Sequence, residues 1–311
     1  MTASAGGGAH PAPPPPPVHR PNRREGLELF SSRVPFLLKL AAVWAAILGI
    51  LALLFAAAGF DTDWMREHAR FIAGGLTWTV VIAVSSILLA SVLALLGALG
   101  RLSRNSIAVG VTSFYTSFFR GTPLIVQLFL IYLALPQIGI GLTRRGWGDQ
   151  WADWLTLDVF TAGIIALGLN YGAYMTEIFR AGIQSVGHGQ SEAAEALGMK
   201  YAQKMRRVVL PQAARVIIPP TGNEFIAMLK DTALVSFLGA SVDQMEIFRR
   251  AQLVGRADFR NLEALIIAAL MYWGLTAIFQ YFQLRLERRL SKGYVRGTAG
   301  VAVAGERRAP R

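Results

Sequence analysis

Gly189-Gln190-Ser191-Glu192-Ala193-Ala194-Glu195-Ala196-Leu197-Gly198, continued by Val208-Val209-Leu210-Pro211, is the stretch that decides how this chain folds. It predicts two short helices. Ser191 is a good N-cap, and Glu192 and Glu195 stand where a helix N-terminus favours acid. Ala193, Ala194 and Ala196 have high helix propensity. Gly198 supplies the left-handed residue that ends the first helix. A basic helix follows from about Lys200, and Pro211 marks its end or the start of the next element. The product is a compact knob, acidic on one arm and basic on the other. By composition alone the same stretch also fits an amphipathic hairpin lying against lipid headgroups.

On both sides of the knob the sequence turns apolar. Of the 311 residues, 53% are hydrophobic and only 16% charged, against about a quarter charged in soluble domains. A bilayer core needs roughly 20 apolar residues per helix. Phe36–Phe60, Gly75–Gly100, Gly121–Leu142 and Ala264–Leu284 meet or approach this. Val159–Thr176 is shorter, with Gly163, Gly168 and Ala173 forming a small-residue face for helix packing. Ala90, Ala94 and Ala98 likewise predict close packing. Val216–Val242 is interrupted by Glu224, Lys230 and Asp231, and parity and charge make it a sixth span. With both termini cytoplasmic, 21 Lys and Arg fall on the inner side, among them Arg101, Arg104 and Arg120 in a 101–120 segment. Eight fall on the outer side. That agrees with the positive-inside rule, and it accounts for the net charge of +12 without nucleic acid. Residues 1–34 predict a Pro-rich cytoplasmic tail, with five prolines at 13–17 favouring an extended form. Residues 35–70 predict a retained N-terminal transmembrane helix and outer loop, and 291–311 a basic cytoplasmic tail. The chain has no cysteine, which excludes disulfides, thiol catalysis and Cys-metal sites.

Ionisable groups at membrane depth are costly and usually functional. Asn170, Asn223, Glu224, Asp231, Thr232 and Ser236 are the candidate substrate-pathway residues. Glu177 is expected at the inner interface beside Arg180. Lys230 and Asp231 could instead pair with helices of a partner subunit. Pro219-Pro220 predicts a kink or a break, after which Thr221 and Glu224 could cap a restarted helix. Such a restart would aim its positive end at a substrate carboxylate; a plain proline kink is the alternative. No phosphate-binding loop, HExxH or nucleophile elbow occurs, so no catalytic residue, metal or cofactor is expected.

The full spacing of the knob resembles the EAA loop of ABC-importer permeases. Glu192-Ala193-Ala194, Gly198, Val208 in place of the usual Ile, and Leu210-Pro211 fit every interval. Phe119-Arg120-Gly121-Thr122-Pro123, Ala173-Tyr174 with Glu177 and Arg180, and Leu229-Lys230-Asp231-Thr232-Ala233-Leu234-Val235-Ser236 resemble the polar-amino-acid branch of that family. Gly187-His188-Gly189 stands where Pro-Lys-Gly is usual. The resemblance implies an all-α polytopic membrane protein with a five-helix permease core over 71–290, its EAA loop at about 185–211, plus one extra N-terminal helix. It implies a subunit of an ATP-driven importer in a bacterial inner membrane. Its partners would be a cytoplasmic ATPase dimer, a second permease (identical or paralogous) and an extracytoplasmic amino-acid-binding protein. Glu192, Ala193, Ala194, Gly198, Leu210 and Pro211 would couple to the ATPase. The alternative is a secondary amino-acid transporter driven by an ion gradient.

Overall fold

Long apolar segments in lipid must satisfy their backbone internally, and helices do so within one segment. A computed structural model describes residues 35–239 and 244–290, and the described residues are helical throughout apart from turns and short connections. The chain divides into two units, one through Phe60 and one from Asp61. The first carries α1 (Phe36–Ala58), which ends on Gly59 in the left-handed conformation. The second opens with α2 (Thr62–Ala73) and α3 (Leu76–Arg101). The expected boundary at residue 70 therefore lies inside α2, whose Ile72 is buried with Ile247 and Ala264. The predicted tails, 1–34 and 291–311, lie outside the described residues.

Next come α4 (Ser106–Gly121), α5 (Leu124–Arg144), the short α6 (Gln150–Leu155) and α7 (Val159–Gln184). The knob is α8 (His188–Ala196) and α9 (Tyr201–Lys204). A π turn (Met205–Val209) leads into α10 (Leu210–Asp231), and a 3-10 segment (Thr232–Leu238) follows. The described residues close with α11 (Ile247–Ala257) and α12 (Asn261–Leu290). Among the described residues, five stretches are long and apolar enough to cross a membrane: those of α1, α2–α3, α5, α7 and α12. The expected sixth, α10, falls short on hydropathy yet packs within the bundle against α7 and α12. Its expected end at Val242 lies outside the described residues.

Small residues set the core. Ala90, Ala94 and Ala98 of α3 are fully buried. Gly168 of α7 meets Leu89, and Gly97 of α3 meets Thr176, so closely that a Cβ would collide. Such contacts bring two backbones together and replace side-chain volume with dispersion contact between helices. At the end of the bundle away from the knob, α2, α11 and the start of α12 form a second cluster. There Asp61 caps α2, and Glu246 caps α11.

The 101–120 segment is no cytoplasmic loop. It is mostly α4, capped by Asn105. Thr112, Ser113 and Thr116 give it too little hydropathy to read as a span. Their hydroxyls donate to the carbonyls of Ala108, Val109 and Thr112, so they need no other partner. Of the two readings of the Pro219-Pro220 pair, the restart is not what the structure has. α10 runs through it without a restart, and Thr221 caps nothing; its buried hydroxyl has no partner among the described residues. The missing N–H groups leave the Arg215 and Val216 carbonyls without their helical donors, and Gln283 of α12 packs beside the pair, donating to the Pro219 carbonyl at 2.7 Å.

Candidate functional site: an anchored knob and a polar cluster in the bundle

α8 starts at His188, three residues before the expected cap, with Gly187 as its N-cap, and Ser191 lies inside it. Its C-terminus closes as expected. Gly198 has φ +74°, Gly198 N–H donates to Glu195 and Met199 N–H to Ala194, which is the Schellman arrangement. No atom lies within 4 Å of where a Gly198 Cβ would be. The glycine is there for its backbone angle and not for room.

The return arm is basic, and of the two readings of Pro211 the structure has the second, the start of the next element. α9, the π turn and α10 run on continuously, and Pro211 sits in the first turn of α10. Pro211 has no N–H for the Arg207 carbonyl, and the chain crosses that gap with a π turn in which Leu210 N–H reaches Met205. Lys204 pairs with Glu195 at 2.5 Å and ties the two arms together. That hydrogen bond and charge hold the Glu195 carboxyl below the ordinary glutamate range.

Beneath the knob, Met205, Val209, Ala213 and Ile217 are buried with Ala98 of α3 and Ile183 of α7. Gly182 lets α7 and α10 touch there, because a Cβ would fall 2.4 Å from Ile217. The expected coupling residues therefore divide. Ala194 is buried and Leu210 packs against the cluster, whereas Glu192, Ala193, Gly198 and Pro211 are exposed. Two tip residues went unremarked in the sequence. Leu197 is 78% exposed and Tyr201 61%. Unexplained large apolar side chains on an otherwise polar protrusion were the available signal.

Higher in the bundle, the six expected pathway residues also separate. Tyr171 donates to Asp231 at 2.8 Å, Glu224 is half-buried and Asn223 is exposed. Asn170 is only 6% exposed. It donates to Phe119 O at 3.1 Å and Gln127 Oε1 at 3.0 Å. Gln127 in turn donates to Phe119 and Thr122. Both Asn170 donors are thus spent on the α4–α5 corner. Thr232 and Ser236 are buried as well: Thr232 donates to Leu229 O, and Ser236 to Glu246.

Glu246, expected only as outer-loop charge, is 2% exposed. It accepts from Ser236, Tyr272 and the N–H groups of Phe248 and Arg249. Burial pushes its carboxyl upward, and these bonds pull the other way. It joins the 3-10 segment, α11 and α12. Glu177 lies beside Arg180 at 2.7 Å as expected, with Arg101 of α3 at 3.7 Å.

The family model described as "binding-protein-dependent transport system inner membrane component" matches residues 86–292. The probable amino-acid ABC transporter permease protein PatM of Vibrio harveyi is 38% identical over 238 residues, covering 76% of this chain and all of that protein. The arginine transport system permease protein ArtQ of Bacillus subtilis is 39% identical over 220 residues, 71% of this chain and 92% of that protein. A crystal structure of an amino acid ABC transporter with histidines superposes with a TM-score of 0.61 at 37% identity, over 74% of this chain and 99% of that one. An inward-facing structure of the MetNI methionine ABC transporter shares the fold, with a TM-score of 0.55 at 17% identity over 70% of this chain and 94% of that one.

Proposed function

This chain belongs to the family of binding-protein-dependent inner membrane transport components and is a permease subunit of an amino-acid ABC importer; from that premise we propose that its knob is the handle by which a separate ATPase moves the membrane helices. The protein is a multi-pass inner membrane protein and a transport subunit, and ATP hydrolysis belongs to another chain. Its family works with an ATPase, a substrate-binding protein and a second permease. An ion-gradient mechanism is set aside by that membership.

In the proposed arrangement an ATPase dimer takes hold of the exposed face formed by Glu192, Ala193, Leu197, Gly198, Tyr201 and Pro211. The observation that carries this is the contrast between tip and base. Leu197 and Tyr201 project into solvent, while the base is buried against α3, α7 and α10. A push on the tip is therefore delivered to three helices at once, because packed interiors transmit strain instead of absorbing it. Both termini and the knob lie on the cytoplasmic side. A second permease, identical or paralogous, completes the pathway. An extracytoplasmic binding protein delivers a polar amino acid near residues 241–261, of which 241–243 lie outside the described residues. Glu224 and Asp231 face the substrate's ammonium group, with Asn223 beside them.

The test is to reconstitute the chain with its native partners and replace Leu197 by Asp. Association with the ATPase and amino-acid uptake should both fall at least ~10-fold, the effect of losing about 1.4 kcal/mol. Unchanged association and uptake would refute the docking role.

A further inference from the structure

A cavity of about 570 Å³ opens between the end of α3, the polar face of α4 and the inner half of α7, lined by Arg101, Thr116, Ser117, Arg120, Tyr174 and Glu177 among others. Its volume is within the usual range for small-molecule sites, roughly 300–1,000 Å³. The charges in it are not balanced. Glu177 already meets both Arg180 and Arg101, and Arg101 also donates to Ser113. Arg120 has no carboxylate within 4 Å among the described residues. Its guanidinium lies over the Tyr174 ring at 5.4 Å. Ser117 is one turn earlier on the same face of α4, and its hydroxyl has no partner among the described residues.

Depth makes this arrangement unusual. Tyr115 donates to Leu169 O, and Asn170 donates to Phe119 O. These bonds fix the last turns of α4 beside the middle of α7, so the Arg120 backbone lies alongside a span while its guanidinium turns onto Tyr174 in the inner half of α7. A guanidinium there must face water or an anion, since lipid would leave it uncompensated. The expected anion receptor on α10 does not exist, because the helix does not restart after Pro220 and offers no free N–H groups. On the other flank of the same α7 surface, Tyr171 holds Asp231, with Glu224 and Tyr174 near enough to influence it. One helix face thus presents a cation on one side and carboxylates on the other.

We propose that this cavity receives the α-carboxylate of the transported amino acid, with Arg120 as its ionic partner and Ser117 as a hydrogen-bond donor. The inference rests on the amino-acid permease assignment and adds to it the site for one end of a zwitterion. Guanidinium binds carboxylate through a fork of parallel donors, and Tyr174 fixes the plane of that fork by stacking.

The experiment uses the complete permease–ATPase complex in lipid nanodiscs. Binding of L-arginine, L-histidine and L-glutamine is compared with binding of their carboxamides, which lack the negative charge. The wild-type complex should favour at least one acid over its amide by ~10-fold or more. Arg120→Gln should bring the two within about twofold, and Ser117→Ala should narrow the gap partway. If Arg120→Gln does not assemble with the ATPase, Arg120→Lys decides the matter, since it keeps the charge, loses the fork and should show a reduced preference. An undiminished acid preference in the variants overturns the site while leaving the permease assignment intact. Failure of all three amino acids to bind or to stimulate ATP hydrolysis overturns both. A phosphate of an anionic lipid is the rival occupant. If the only effect of Arg120→Gln is a change in stability seen with phosphatidylglycerol and absent in pure phosphatidylcholine, the proposal is overturned in favour of the lipid.

Discussion

Gly198 and Glu195 show how single residues set the shape of the knob. At φ +74° a β-branched side chain at 198 meets its own carbonyl, a strain of about 1–2 kcal/mol. Gly198→Val should leave the bundle folded and tilt the tip, so ATP hydrolysis should continue while uptake per ATP falls severalfold. Paired uptake and hydrolysis assays in proteoliposomes would check this, and normal coupling would contradict it. Glu195 is held below the ordinary glutamate range by Lys204. A depressed carboxylate stabilises the fold above its unfolded-state pKa, and that contribution is lost as pH falls through the folded value. Amide exchange across 188–204 should therefore rise only in acid, and Lys204→Ala should move that rise toward the ordinary glutamate range. The left-handed glycine was plain in the sequence because a local backbone rule dictates it. The exposure of Leu197 and Tyr201 was not, because it depends on which side of α8 faces the bundle.

Between elements, the junction of α10 and α12 shows how a proline pair can stay inside a helix. Pro219 and Pro220 remove two N–H donors, and Gln283 reaches across to the Pro219 carbonyl. It can do so only because residue 222 is glycine, where a Cβ would fall 1.8 Å from Gln283 Oε1. Gly222→Ala should displace Gln283 and lose this added bond, about 0.5–1.5 kcal/mol. Gln283→Ala loses the bond and also relieves the clash, so the double variant should be less destabilised than the sum of the singles. Thermal unfolding of the purified complex would measure this. The dipeptide Pro-Pro left a kink and a restart both open, because its own chemistry cannot reveal the glutamine 64 residues beyond Pro219 that bonds to it. The same limit hid α4. A run rich in Ser and Thr reads as a polar loop until the hydroxyls are seen bonded to their own helix.

At the scale of the molecule, the family match begins at residue 86, and the described part of the chain through Phe60 forms a unit of its own. Removal of residues 1–60 should therefore leave a complex that still hydrolyses ATP in response to amino acid, and loss of that response would give α1 a part in transport. The sequence by itself determined that the chain is helical and membrane-spanning and that it carries an EAA knob, because hydropathy, capping and fixed motif spacing act over a few residues. Only the tertiary structure decided that Asn170, Thr232 and Ser236 are spent on internal bonds, that Glu246 is a buried junction, and that Arg120 stands beside the middle of α7 with no carboxylate within 4 Å among the described residues. Burial and charge balance belong to pairs of residues far apart in the chain, and they exist only once the helices have packed.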